Sequence, residues 1–290
     1  MQDNTYRHPC AGWPGRLFAA LANCTHFANV RQAVLSRLPF LTLHSDVRDV
    51  VYVSWLVDAA AAQKLLPPGV TLWQRGGKTP FTVLTYRHGH FGPALLGPLR
   101  RLLPSPLQSN WRLYLDHTPP GAPDGPCVYF LKNIMDSLPH ALGTRLFSDI
   151  LPTHLAAGMT LDVTATQARC TIAGGAGSAP ALEVQADITA NQGLDTHWQQ
   201  LFGNWHDAVA FLACQDAAIA HVPRNEQLVF GEIDLPVDLD QVLALTALRS
   251  DCSLLGQLPP VSTPFAFLVP KVAFKALSER LLSPGAAVPA

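Results

Sequence analysis

Charge is scarce in this sequence. Only 14% of its 290 residues are Asp, Glu, Lys or Arg, and 20 basic side chains nearly balance 21 acidic ones. A nucleic-acid binder usually gathers a basic excess on one face, and none is visible, so no nucleic-acid partner is expected. Long apolar runs are missing as well. No stretch reaches the roughly 18–20 uninterrupted apolar residues of a membrane span, which argues against a transmembrane segment. There is no Cys-x-x-Cys pair: Cys10, Cys24, Cys127, Cys170, Cys214 and Cys252 lie too far apart for a redox motif or a stapled scaffold. They read as free thiols in a reducing compartment. The polar start, Met1 to Pro9, lacks the apolar core of a signal peptide. The expected location is cytoplasmic.

What is present is apolar surface. Hydrophobic residues make up 48% of the chain, enough for a sizeable core and far from the composition of disorder. Residues 1–45 read as a loose leader followed by amphipathic helices, with Arg16, Arg31 and Arg37 giving a mildly basic polar face; a peripheral membrane contact is weighed against simple packing. Residues 46–290 read as one domain. Alternation marks strands at Asp49–Trp55, Val70–Trp73, Phe81–Phe91, Ser109–Leu115, Cys127–Leu131, Thr160–Ala173, Ala181–Thr189 and Pro264–Pro270. Asp58 is placed to cap a helix over Ala59–Leu66 that Pro67-Pro68-Gly69 stops. Further helices are expected from Asn204 to His221, over Val237–Leu248, and at the C-terminus. Gly174–Ser178 lacks a Gly-Lys-Ser/Thr ending and reads as a hairpin turn rather than a phosphate cradle. Hairpins with irregularly interspersed helices give the class α+β, with one large bent sheet or barrel.

In a chain so poor in charge, the centre of Ser109–Leu115 is informative. Residues two apart on a strand share a face, so Asn110, Arg112 and Tyr114 point the same way. An arginine there either holds a structural acid, such as Asp116 or Glu183, or faces a cavity that receives a carboxylate through its planar fork of donors. Lys132, at the end of the next strand, is either solvated or an imine-forming amine. His154 is either a structural histidine or a general acid–base near neutral pH. His88 and His90 sit two apart on an expected strand, but no third ligand has credible spacing, so no metal is expected. No Gly-x-Ser-x-Gly elbow supports serine catalysis.

Several short motifs in order carry a resemblance. Leu66-Pro67-Pro68-Gly69, Asn110-x-Arg112-x-Tyr114, Val128-Tyr129-Phe130, Gly143-Thr144-Arg145-Leu146-Phe147 leading to Leu151-Pro152, and Pro264-Phe265 with Val269-Pro270 resemble the acetoacetate decarboxylase-like superfamily, in its large uncharacterised bacterial branch. The resemblance spans about residues 48–275. It implies a cone-shaped antiparallel β-barrel with helices packed outside, a ligand cavity inside, and a possible homo-oligomer. Decarboxylases of that superfamily carry two adjacent lysines after a proline. The corresponding positions here are Thr153 and His154, so the imine route to decarboxylation is not expected.

The expected activity is therefore a cofactor-independent, lyase-type reaction of the aldol, dehydration or decarboxylation kind on a small keto acid or related carboxylate. In that reading Arg112 binds the acid group, His154 transfers protons, and Tyr114 and Asn110 hydrogen-bond the carbonyl. Asn110, Arg112, Tyr129, Lys132 and Thr153 form the expected substrate-binding set. From a different class, a non-catalytic barrel binding an apolar carboxylic acid needs only Arg112 and an apolar wall. A metal-dependent site at His88 and His90 is a weaker third alternative.

Overall fold

A computed structural model describes residues 4–282. Two helices, α1 (Trp13–Ala22) and α2 (Thr25–Leu35), precede the first long strand, β1 (Leu43–Asp58). Then come α3 (Ala59–Gln63), β2 (Lys78–Arg87), the two-residue β3 (Gly92–Pro93), a 3₁₀ segment (Ala94–Leu102), β4 (Leu107–Tyr114), β5 (Cys127–Met135) and α4 (Leu138–Phe147). The chain continues through β6 (Thr153–Leu155), β7 (Gly158–Val163), β8 (Gln167–Ala173), β9 (Leu182–Thr189), α5 (Thr196–Phe202) and α6 (Trp205–Ala213). It ends with β10 (Ala217–Val222), β11 (Gln227–Asp234), β12 (Leu243–Cys252) and β13 (Phe265–Leu281).

Among the described residues the thirteen strands belong to one sheet, antiparallel except where β5 pairs β10 and β6. The pairings run β1–β2–β4–β5–β10–β11–β13, and β13 returns to pair β1 from Phe265↔Ser54 to Ala276↔Leu43. That return closes a circuit and bends the sheet around an interior. A second arm, β12–β9–β8–β7, leaves β13 at Leu243↔Leu268 and folds beside the circuit. The expected cone is thus a bent sheet with an attached arm rather than a clean barrel.

Both faces of the central strands are covered. Along β1, Val51, Val53, Trp55 and Val57 join one apolar cluster while Tyr52 and Leu56 join another. The first cluster lies between the circuit and the arm, with Leu161, Cys170 and Val184 among its members. The second lines the interior and continues beneath α5 and α6, with Trp198, Trp205 and Leu212. Period-two alternation separates them, as the pleat requires.

Local signals set several boundaries. The Asp58 carboxylate accepts from the Ala61 N–H at 2.7 Å, and the Asn204 side chain accepts from the Asp207 N–H at 2.9 Å, so both act as helix caps. Other expectations are overturned. Helix α6 stops at Ala213, and residues up to His221 turn into β10. Residues Leu243–Leu248 belong to β12, where pairing with β9 and β13 overrides the helix propensity of an Ala- and Leu-rich stretch. The short closing strand runs on to Leu281 where a C-terminal helix was expected; residues 283–290 lie outside the described ones. Pro270 is tolerated within β13 because it falls opposite Asp49, at φ +57°, where the ladder skips a pair and no N–H is needed. Only a single bridge, Leu72↔Leu115, remains of the strand expected at Val70–Trp73. The leader is not loose either: Tyr6 is buried and its N–H donates to the Asn23 side chain at 2.9 Å.

Helix α2 is fastened by charge. Asp149, buried after α4, accepts from both Arg31 and Arg224, the latter through two bonds of 2.8 Å. Burial pushes the Asp149 carboxyl up, but these arginines outweigh it and hold its pKa below the ordinary value. Arg224 also reaches Asn29 and Gln32 on α2. Asp149→Ala strands a buried guanidinium and is expected to cost about 3–5 kcal/mol of stability. Urea titration measures that loss, and limited proteolysis should show new cleavage within residues 25–35. Unchanged stability would remove Asp149 as the fastening point.

Candidate functional site

The interior of the circuit holds a cavity of about 980 Å³. Its wall is mostly apolar, with Leu84, Phe130, Val229, Val269 and Val272; Tyr86, Gln108, Asn110 and Arg112 form one polar row on β2 and β4, and Arg31, Asp149, Glu232, Glu279 and Arg280 add charged groups from other elements. Strand β4 supplies Gln108, Asn110 and Arg112 to it, all buried, while Leu107, Trp111 and Leu113 face the other core. The antiparallel register sets Tyr86 across from Gln108, Leu84 from Asn110 and Thr82 from Arg112.

Arg112 is 3% exposed. Its Nη2 donates to the Leu212 carbonyl oxygen at 2.5 Å, near the C-terminal end of α6, and its Nε approaches the Tyr114 hydroxyl at 3.4 Å. The guanidinium carbon lies 5.5 Å from the ring centroids of both Tyr52 and Tyr114. Burial disfavours the charge, but Tyr114 and Tyr52 outweigh it and the pKa stays above the ordinary value. No carboxylate among the described residues comes within 4 Å of this guanidinium. Asp116 sits beside His117, and Glu183 pairs with Arg249, so neither acid expected as a structural partner plays that part. The helix carbonyl, at the negative end of the α6 dipole, partly offsets the charge.

A row of neutral donors and acceptors continues from there. Gln108 Nε2 donates to Asn110 Oδ1 at 2.9 Å and to Asn133 Oδ1 at 2.7 Å. Asn110 Nδ2 reaches the Tyr86 hydroxyl at 3.3 Å, and Asn133 Nδ2 donates to Thr153 Oγ1 at 2.5 Å. At the other end His88 Nε2 lies 2.6 Å from Gln108 Oε1, and His88 Nδ1 lies 2.7 Å from Ser45 Oγ. That pattern fits a neutral imidazole with its proton on Nε2. Burial pushes the His88 pKa down to about 4.

The residues expected in one site fall into two groups. Asn110 and Arg112 line the cavity, and Tyr114 touches Arg112 just behind it, its hydroxyl donating to the Leu212 carbonyl at 3.0 Å. Tyr129 faces the opposite core. Lys132 is not at a solvated strand end: it is buried mid-strand, on the reverse face from Asn133. The ladder between β4 and β5 skips Leu131, pairing Trp111 with Lys132 but Arg112 with Phe130. This bulge shifts the parity, so Phe130 lines the cavity and Asn133 shares the sheet face of Asn110, while Lys132 faces away. His154, paired with Ile134, joins Lys132 there: both reach Asn4 Oδ1, at 3.3 and 2.9 Å. His154 Nδ1 is 2.6 Å from Ser178 Oγ, and its pKa lies well below the ordinary value through burial and then the charges of Lys132, Arg145 and Arg7. His154 and Arg112 therefore do not share the cavity. Thr153 does not line it but bonds to Asn133 and to the lining residues Thr144 and Leu151.

His88 and His90 also separate, because β2 ends at Arg87 and His90 turns at φ +54°. Among the described residues no three His, Cys, Asp or Glu side chains converge as metal ligands. Reasoning from sequence missed Gln108, Tyr52, Tyr86 and Phe130 as wall residues. Gln108 shared the signal of Asn110 and Arg112, being two positions earlier on the same strand.

Residues 44–212 match the DUF2071 family, described as an uncharacterized conserved protein. The chain belongs to that family. Among curated proteins none matches. Among solved structures, an acetoacetate decarboxylase from Legionella pneumophila is similar at TM-score 0.56 and 10% identity, over 83% of this chain and 87% of that one. An acetoacetate decarboxylase-like enzyme from Sphingomonas wittichii RW1 gives 0.54 and 12%, over 84% and 94%. The enduracididine biosynthesis enzyme MppR complexed with pyruvate gives 0.51 and 16%, over 84% and 91%. At these identities the likeness concerns the fold, which is acetoacetate decarboxylase-like.

The lowered His88 pKa has a sign. The folded chain resists protonation down to about pH 4, whereas the unfolded chain takes the proton near 6.5. The stabilisation is complete above pH 6.5 and is lost as pH falls through 4. Between pH 7 and 4.5 wild type is expected to lose about 2–3 kcal/mol more than His88→Gln does. Parallel urea titrations at the two pH values test this; equal losses would mean the imidazole is not held neutral.

Proposed function

We propose that this DUF2071 protein binds a small monocarboxylate with an apolar body inside the bent sheet, its acid group on Arg112. The observation that carries this reading is a buried guanidinium on a cavity wall, with helix dipole and aromatic faces around it but no carboxylate at salt-bridge distance among the described residues. An arginine fork is suited to a carboxylate. The volume supports an apolar body: about 980 Å³ is near the upper end for small-molecule sites, and a three-carbon acid would fill little of it. Leu84, Phe130, Val229 and Val269 would contact that body.

A second reading is a cofactor-independent lyase-type reaction on a keto acid. It is favoured by the Asn110 amide and the Tyr86 hydroxyl, which lie on the same wall as Arg112 and can hold a carbonyl or enolate oxygen. One solved neighbour is described in complex with pyruvate, itself a keto acid. Neither Lys132 nor His154 takes part in this reading. In this reading the Tyr86–Asn110–Gln108–His88 row supplies fixed hydrogen bonds to that oxygen and no proton acceptor, since His88 is bound at both nitrogens.

Arg112→Ala should weaken carboxylate binding by about 2–5 kcal/mol. Thermal shifts with keto acids and longer apolar acids, on wild type and variant, read this out. A variant that gains the same ligand-induced stabilisation as wild type would end the anchor assignment. Product formation from the keto acids, followed by NMR, separates turnover from binding alone.

Lys132 is expected to form no essential imine, since it faces away from the cavity. Borohydride treatment in the presence of β-keto acids should leave the protein mass unchanged. A trapped adduct mapping to Lys132 would restore imine chemistry from an amine outside the Arg112 wall.

A further inference from the structure

The cavity mouth lies beside a surface that the carboxylate reading does not use. Residues 33–41, Ala-Val-Leu-Ser-Arg-Leu-Pro-Phe-Leu, are exposed at every position. Soluble surfaces scatter single apolar side chains, but they rarely present so many in succession. Leu35, Leu38, Phe40 and Leu41 also line the mouth. The adjoining 3₁₀ segment repeats the pattern, with Leu95 74%, Leu99 62% and Leu102 83% exposed. The two stretches are held together by Leu43↔Pro93 pairing and by the Ala94 N–H, which donates to the Thr42 carbonyl at 2.9 Å.

Charge on this surface has one dominant sign. The sequence has no Asp or Glu from Asn4 to Ser45, nor from Ala59 to Leu115. Arg37 and Arg101 are exposed and form no ion pair among the described residues. Arg100 is partly engaged by Asp46 at 3.6 Å and by the His90 carbonyl at 3.2 Å. Asp46 thus borders the patch, and Asp149, Glu232 and Glu279 line the cavity that Leu38 and Phe40 also line.

We propose that the 33–41 segment and the Ala94–Leu102 segment form a docking surface for an anionic lipid bilayer. Leu38, Phe40, Leu99 and Leu102 enter the boundary between headgroups and acyl chains, and Arg37 and Arg101 meet lipid phosphates. A second copy of the chain fits less well. A two-fold interface sets the patch against itself, where Arg37 and Arg101 would meet an excess of like charge, since the bordering Asp46 is already engaged by Arg100. Docked in this way, the mouth opens toward the membrane, because its rim and the inserted patch share Leu38 and Phe40. The surface does not depend on Arg112.

Flotation with vesicles tests this, using phosphatidylcholine alone and phosphatidylcholine mixed with phosphatidylglycerol. Wild type should bind the anionic vesicles at least tenfold better, and added salt should weaken that binding. Leu99→Asp with Leu102→Asp should lower binding at least tenfold. Arg37→Glu with Arg101→Glu should do the same, at about fivefold or more per arginine lost. Arg112→Ala should bind vesicles like wild type, so failure of the carboxylate reading stays distinguishable from failure of the docking surface. Wild type showing no preference for anionic vesicles overturns the proposal without recourse to any variant. It is also overturned by a wild-type dimer in light scattering that Leu99→Asp with Leu102→Asp converts to monomer, which would assign the patch to a second copy.

Discussion

A guanidinium removed from water needs compensation from something, and at Arg112 the Leu212 carbonyl and two tyrosine rings provide it. That requirement organises one end of the molecule. The same carbonyl accepts from the Tyr114 hydroxyl, so α6 is docked through its last turn onto the polar face of β4. Around it Trp73 stacks on Phe202, and Phe211 packs at a tilt against both of them and against Tyr114. The interior is thereby closed at the Arg112 end by a helix and aromatic rings. Its opening lies toward α2, α4 and the 36–41 segment. A carboxylate reaching Arg112 would meet a cation already oriented by its partners, which lowers the entropy lost on binding.

The bulge at Leu131 is the second determinant. Without it, strand alternation would direct Lys132 to the same face as Phe130, next to Arg112. Two cations would then share one cavity wall with no acid between them, and each would disfavour the other's charge. The extra residue separates them onto opposite faces. It leaves the Arg112 wall with amides and hydroxyls as its remaining polar groups, and places Lys132 with His154 beneath the segment that carries Asn4.

The sequence made legible what depends on local periodicity. Asn110, Arg112 and Tyr114 share a face because a strand repeats every two residues, and Asp58 and Asn204 cap helices because their side chains can meet N–H groups two or three residues on. What was not legible depends on pairing between distant segments. The skipped position at Leu131 exists only relative to β4, so the orientation of Lys132 was hidden. The Ala- and Leu-rich stretch Leu243–Leu248 suits a helix in isolation, and only β9 and β13 make it a strand. The choice at Arg112 between a structural acid and a cavity could not be made by listing acids along the chain. Asp116 and Glu183 were available in sequence and are engaged elsewhere in space.

The resemblance puts lysines at the positions of Thr153 and His154, and their replacement alters what the wall can do. Thr153 accepts from both Asn133 and the cavity-lining Thr144, at one end of a row in which each amide already donates to a neighbour. A hydroxyl in that row is no nucleophile toward a ketone, since nothing basic is positioned to take its proton: His154 lies on the other face and His88 is bound at both nitrogens. Neutral donors fixed in position can instead stabilise a carbonyl oxygen as negative charge develops on it, with no covalent step. The same row serves a bound carboxylic acid that never reacts. Which of the two obtains depends on whether the ligand carries a carbonyl within reach of Asn110 and Tyr86 once its acid group rests on Arg112. The apolar depth of the remaining cavity governs how large that ligand is.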